Sequence, residues 1–101
     1  MNYLVSYDIS KDSLRTRIGN RLIANGCDRI QYSVYVGILK DNIKEELLKW
    51  LKNELVLKGN QTTDTIILIP LTSRQVQEAT IIGNNKYDLD YLSGEKKSLL
   101  L

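Results

Sequence analysis

Asp8 is the residue with the strongest claim to chemistry. It ends the run Asn2-Tyr3-Leu4-Val5-Ser6-Tyr7-Asp8, whose aromatic and β-branched residues and lack of Gly or Pro read as a strand, and it precedes a helix start. A carboxylate at the carboxyl end of a strand sits in a crevice rather than in the core. One carboxylate is a poor Mg²⁺ site. A symmetric dimer would bring Asp8 from both chains together, giving two anionic oxygen donors for a hard cation that keeps its waters. Such an ion would polarise a phosphate and lower the pKa of a bound water. The structural reading stands beside this one: Asp8 caps the following turn through Ser10 or Lys11. Spacing alone leaves both open.

Around that acid lies a basic group, Arg15, Arg17, Arg21 and Arg29. Arg17 and Arg21 share a helix face at i,i+4, and Arg15 lies a turn before the bulk of the helix. Guanidinium forks match phosphate oxygens bidentately, so these residues suit backbone binding better than base reading. Their bland alternative is a solvated face with ion pairs to Asp12 or Asp28. In Arg29-Ile30-Gln31-Tyr32-Ser33-Val34-Tyr35, the polar Gln31 and Ser33 must find partners within a strand-rich stretch. Holding the Asp8 loop in shape would satisfy them, with Tyr7 and Tyr35 as further support; for Ser33, ordinary hairpin bonding is the competing reading. Cys27 reads as a packing residue, and Asp88-Leu89-Asp90 as solvated charge in a polar tail.

The composition removes other chemistries. Histidine is absent, which excludes His-based triads, His zinc sites and a His general base. A single cysteine excludes an intrachain disulfide and an all-thiolate zinc site, and makes a reducing cytoplasm the expected location. The formal net charge of +2 is mild, but its distribution is uneven. Residues 1–40 hold six Lys/Arg against three Asp/Glu, whereas residues 41–101 hold eight against nine. An anionic partner should therefore dock on the first half. No apolar run approaches the ~18 residues needed to cross a bilayer, and no basic segment precedes the first apolar run, so neither membrane insertion nor a cleaved secretory signal is expected.

The elements that must position these residues follow from pattern. At 101 residues the chain suits one domain. After the first strand, Leu14, Ile18 and Leu22 predict a helix over about 11–25, with Ser10 as its N-cap and Gly26 ending it. Gly19 inside that helix costs roughly 1 kcal/mol against Ala. Residues 28–39 read as two short strands reversing near Gln31-Tyr32-Ser33. Ile43, Leu47, Trp50, Leu51 and Leu55 predict a second helix over about 41–57 followed by Gly59. Ile66-Ile67-Leu68-Ile69 is a strand that Pro70 should stop or confine to an edge. Residues 72–77 read as a polar connection, and residues 79–82 as a last short strand.

The order β-α-β-β-α-β is the split βαβ arrangement of a ferredoxin-like α+β sandwich, here with an additional C-terminal strand. We take residues 1–85 as the domain and residues 86–101 as a C-terminal extension. Both sheet faces carry apolar groups although helices can cover only one. A second copy is therefore expected on the other face, with cover by residues 86–101 as the alternative.

Tyr7-Asp8-Ile9 followed by Arg15-Thr16-Arg17, and then Gln31-Tyr32-Ser33-Val34-Tyr35, resembles the small CRISPR-associated endonuclease that is the second of the two universal spacer-acquisition proteins. The resemblance runs over essentially the whole chain, including residues 64–71 and Ile82-Gly83. It implies a ferredoxin-like homodimer whose last strand extends onto the partner's sheet, with Asp8 holding Mg²⁺ at the dimer axis. It implies a metal-dependent nuclease acting on RNA in some members and on duplex DNA in others. It also implies a scaffold that bridges two dimers of the CRISPR-associated integrase, a heterohexameric acquisition complex, while a duplex lies across it. The family's Phe after Ser-Val is Tyr35 here. Two further readings remain at this point: a non-catalytic adaptor of the integrase complex, and a ribonuclease toxin of the same fold.

Overall fold

Alternation along β1 (Asn2–Asp8) organises the molecule, a computed structural model that describes residues 1–57 and 63–83. Tyr3, Val5 and Tyr7 are buried beneath helices, whereas Leu4 and Ser6 on the opposite face are only partly covered and Asp8 is exposed. The period of two in strand side chains makes these two sets face apart. β1 is central in a four-stranded sheet of order β2-β3-β1-β4, formed with β2 (Cys27–Gln31), β3 (Val34–Ile38) and β4 (Thr65–Leu71). All neighbouring pairs are antiparallel, with Leu4 opposite Val36 on one side and Ile69 on the other. Asp8 stands opposite Thr65 at the end of the β1–β4 ladder. This is the expected ferredoxin-like α+β arrangement.

The helices cover one face of the sheet. α1 (Asp12–Ala24) buries Leu14, Ile18 and Leu22 completely, and burial of each such side chain contributes about 2 kcal/mol. α2 (Asp41–Lys52) buries Leu47 and Leu51 in the same core as Tyr3, Val5, Tyr7 and Tyr35, with Ile43, Trp50 and Leu55 packed against it. Gly26 ends the first helical segment at φ 96°, a conformation glycine adopts without Cβ strain. Gly19 answers to packing: a Cβ there would lie 2.6 Å from the Tyr35 hydroxyl oxygen. The helix therefore gives up propensity to let a buried phenol pass.

Four local expectations are corrected. Lys11, not Ser10, is the N-cap of α1, and it makes no side-chain cap; the Ser10 hydroxyl is drawn away to Asp64. The second helix changes hydrogen-bond spacing after Lys52 and ends in a π-helical turn, Asn53–Leu57. Residues 73–78 form a short helix, α3 (Ser73–Glu78), where a polar connection was expected. Its reciprocal cap joins Thr72 to Gln75, the Thr72 Oγ1 accepting from Gln75 N and the Gln75 Oε1 from Thr72 N. Residues 79–82 have no strand partner among the described residues. Pro70, as expected, is held in an edge strand.

α3 partly covers the second face. Val76 is buried, and with Leu4, Val36, Leu71 and Ile81 it walls an apolar groove of about 360 Å³. Asn2 Nδ2 donates to Ser73 Oγ at 3.1 Å, pinning this helix to the start of β1. Ile67 and Ile69 on the same face remain 55% and 45% exposed. Among the described residues no helix is long and apolar enough to cross a membrane. Gly59, Asp88, Asp90 and the extension over 86–101 lie outside the described residues.

Candidate metal and nucleic-acid site

Asp8 ends β1 with its side chain exposed and without a hydrogen bond or ion pair among the described residues. It does not cap the turn that follows. That task falls to Asp64, whose Oδ1 accepts from both Ser10 N and Ser10 Oγ at 3.0 Å. From the other side, Arg15 Nη1 donates to the carbonyls of Ile9 and Ser10 at 2.6 and 2.9 Å, while its Nη2 pairs with Asp12. The β1–α1 loop is thus fixed by an acid and a base, and the Asp8 carboxylate is left free for something else. Asp64 Oδ2 is buried with no hydrogen-bond partner among the described residues, a second carboxylate oxygen at the same end of the sheet.

The four arginines separate into two pairs. Arg17 Nε donates to Glu54 Oε1 at 2.8 Å, and Glu54, on the π-helical turn, is only 2% exposed. Arg21 lies with its guanidinium carbon 5.0 Å from the Trp50 ring centroid. This pair is directed at the second helical segment. Arg15 and Arg29 instead line one cavity between α1 and the β2–β3 hairpin. Arg29 Nε and Nη2 donate to the Tyr32 carbonyl at 3.1 and 2.6 Å, and Nε also meets the Gln31 carbonyl at 3.3 Å. Arg29 therefore fastens the hairpin turn while keeping its face over the Tyr32 ring, 4.7 Å away.

The supporting residues act differently from the expectation. Ser33 does reach the end of β1, but through its carbonyl, which accepts from Tyr7 N at 3.1 Å. Gln31 is exposed; its carbonyl meets Arg29, and the residue lines the apolar groove of the second face rather than bracing the Asp8 loop. Tyr7 and Tyr35 bring their hydroxyls to 3.5 Å on the helical face, their rings tilted by 31°. Burial, then the contact with Tyr35, holds the Tyr7 phenol well above its ordinary pKa, so it stays a neutral donor. Burial and the nearby Asp28 push the Cys27 thiol up to about 11, in keeping with a packing residue rather than a nucleophile.

Sequence reasoning missed Asp64, Glu54 and the α3 cap. Glu54 carried a signal: it follows Leu47 and Leu51 at helical spacing, so a charge falls on the buried stripe and requires a buried partner. The Thr72-x-x-Gln75 spacing announced the cap. Asp64 and Ser10 are 54 residues apart, and nothing local joins them.

A four-stranded antiparallel sheet with its two long helices on one face, and an unengaged carboxylate at the end of an inner strand, defines a small ferredoxin-like α+β protein with an acidic strand-end site. The family described as CRISPR associated protein Cas2 matches residues 1–79. The chain belongs to that family. It is 35% identical to the CRISPR-associated endoribonuclease Cas2 1 of Archaeoglobus fulgidus, over 88% of this chain and 90% of the relative. It is 34% identical to a CRISPR-associated endoribonuclease Cas2 2 of Pyrobaculum aerophilum, over 82% and 87%. The crystal structure of Streptococcus pyogenes Cas2 shares the fold, with a TM-score of 0.69 at 19% identity over 82% of this chain and all of that one. A hypothetical protein from Thermus thermophilus superposes with a TM-score of 0.67 at 26% identity, over 85% and 94%.

Proposed function

We propose that the chain is a metal-dependent endonuclease of the CRISPR spacer-acquisition step, working as a homodimer and with RNA as its first substrate. The observation that carries this is the free Asp8 carboxylate on a loop braced by Asp64 and Arg15. Relatives at 34–35% identity bear the name endoribonuclease, which favours RNA over duplex DNA. No cluster of three or more acidic, Cys or His ligands occurs among the described residues, so a site that depends on many protein ligands does not fit. Mg²⁺ does fit, because it is held through one or two carboxylates and keeps its waters. Asp8 from two chains would hold it. When bound, the ion supplies charge to a phosphate oxygen and acidifies water. Arg15 and Arg29 neutralise the strand, and the half-exposed Ile67 and Ile69 mark the face a second copy covers.

The test is cleavage of single-stranded RNA with Mg²⁺ by the purified dimer and by Asp8→Asn. The variant should keep the fold and the dimer yet lose roughly 100-fold or more of the metal-stimulated rate. Full cleavage by the variant would sink the assignment. Family membership also supports a scaffold reading, in which the dimer bridges the CRISPR-associated integrase. The lack of a cluster of three or more candidate ligands among the described residues favours it, and spacer acquisition unaffected by Asp8→Asn would select it.

A further inference from the structure

The cavity between α1 and the β2–β3 hairpin lies on the helical face, away from Asp8, and holds more binding capacity than backbone neutralisation uses. Its volume of about 420 Å³ falls within the roughly 300–1,000 Å³ of small-molecule sites, room for one nucleotide but not for a duplex. At its floor sit the Tyr7 and Tyr35 hydroxyls, on residues 6% and 2% exposed. Two O–H donors share one contact of 3.5 Å, long for a hydroxyl hydrogen bond, so at least one buried donor has no acceptor among the described residues. Gly19 keeps the floor open by carrying no side chain where the Tyr35 hydroxyl lies.

The cavity walls are preorganised. Arg15 spends Nη1 on two carbonyls and Nη2 on Asp12, leaving Nε without a partner among the described residues. Arg29 spends Nε and Nη2 on the hairpin carbonyls and leaves Nη1 likewise unpartnered. Two arginines against Asp12 make the lining net cationic. Tyr32 at the rim is 73% exposed and has Arg29 over its ring; the pair is an aromatic and guanidinium platform of the kind on which unpaired bases stack. Asn20, on the α1 side, offers both a donor and an acceptor to a base edge.

We propose that this cavity is a single-nucleotide pocket, with the base stacked at Tyr32 and the phosphate held by Arg15, Arg29 and the free phenol proton. The inference deepens the nucleic-acid reading of Arg15 and Arg29 and rests on it for those two residues. It requires neither Asp8 nor a metal. The ligand is either a free nucleoside monophosphate or the unpaired end of a strand, which present the same chemistry.

The experiment is titration of the whole chain with AMP, followed by amide and arginine side-chain NMR shifts. Saturable shifts are expected at Arg15, Gly19, Arg29 and Tyr32, with inorganic phosphate binding at least tenfold more weakly. Tyr32→Ala, an exposed substitution that leaves the core intact, should weaken AMP roughly tenfold. Asn20→Ala should weaken it less. A 5′-phosphorylated trinucleotide that shifts the same signals more tightly than AMP identifies the strand end; equal or weaker binding identifies the free nucleotide. Phosphate binding as tightly as AMP, full affinity in Tyr32→Ala, or no saturable shift overturns the pocket. Asp8→Asn separates the two ideas: loss of RNA cleavage with AMP binding retained is expected. Retained cleavage would sink only the Asp8 assignment, and lost AMP binding only the pocket.

Discussion

Neighbouring residues of β1 have opposite surroundings. Tyr3, Val5 and Tyr7 are enclosed by helices of their own chain, whereas Leu4, Ser6 and Asp8 face a side on which Ile67 and Ile69 stay about half exposed. The helical face is covered within one chain: its apolar stripes meet, and Arg17 is joined to Glu54 beside it. The open face is unfinished, with α3 covering Leu4 and Val36 but not the β4 isoleucines. Stability therefore resides mainly on one face, and the acid assigned to chemistry belongs to the other. The proposed dimer is what joins the two.

Introducing charge on the open face tests this most severely. Ile69→Glu, or Ile67→Glu, would place an unpaired carboxylate in the proposed interface and should weaken self-association roughly 100-fold. Sedimentation should show the shift from dimer to monomer, while far-UV dichroism stays unchanged because the helical core is untouched. Unaltered sedimentation of both variants would locate any dimer contact elsewhere.

On the helical face the corresponding cut is Arg17→Met. It strands a buried carboxylate, yet Arg17 is half exposed and Glu54 has a further interaction, so the expected loss is about 1–2 kcal/mol rather than the larger cost of a fully buried pair. Chemical denaturation should show it without any change in sedimentation. Adding Glu54→Leu should recover most of the loss, because two apolar groups remove the stranded charge.

Much of this division was legible in the sequence, and the parts that were not share a cause. The period-two alternation of β1 and the four-residue recurrence of Leu14, Ile18 and Leu22 report only on their own elements, and both were read correctly. The α3 helix was passed over because six residues carry too few apolar positions for a period, though its cap was spelled out in Thr72 and Gln75. The arginines looked alike along the chain, since only tertiary placement sends Arg17 to Glu54 and Arg29 to the hairpin carbonyls. Asp8 was readable as a candidate, but the Asp64 bond that leaves it unengaged joins residues far apart in sequence.

A smaller effect probes how tightly the helical face is closed. Gly19→Ala should gain helix propensity of up to about 1 kcal/mol, but its methyl meets the hydroxyl of a rigid, buried ring. A net loss of about 1 kcal/mol is expected. Tyr35→Phe alone should be nearly neutral, since the contact it removes is long. Combined, the two should be at least as stable as the parent, a strongly non-additive cycle. Additive losses in thermal denaturation would mean that the Tyr35 hydroxyl is not what keeps residue 19 small.

The mildest test uses pH, because Tyr7 and Cys27, two groups with raised pKa values, lie on the helical face. Cys27 belongs to the core cluster, and its thiol is pushed up to about 11 by burial and by Asp28, while an unfolded thiol titrates near ~8.5. The folded chain therefore keeps this proton more tightly than the unfolded one. The stability so contributed is fully present below the unfolded value and declines as pH rises towards the folded one. Tyr7 works in the same direction at still higher pH, where unfolded phenols ionise first. Urea midpoints should thus hold steady up to about pH 8 and fall above it, by no more than about 1.4 kcal/mol per pH unit for each group. Cys27→Ala should remove the first part of the decline and leave the tyrosine part. A decline unaffected by that substitution would show that the thiol is wetted in solution, and the helical face would then be less closed than its packing indicates.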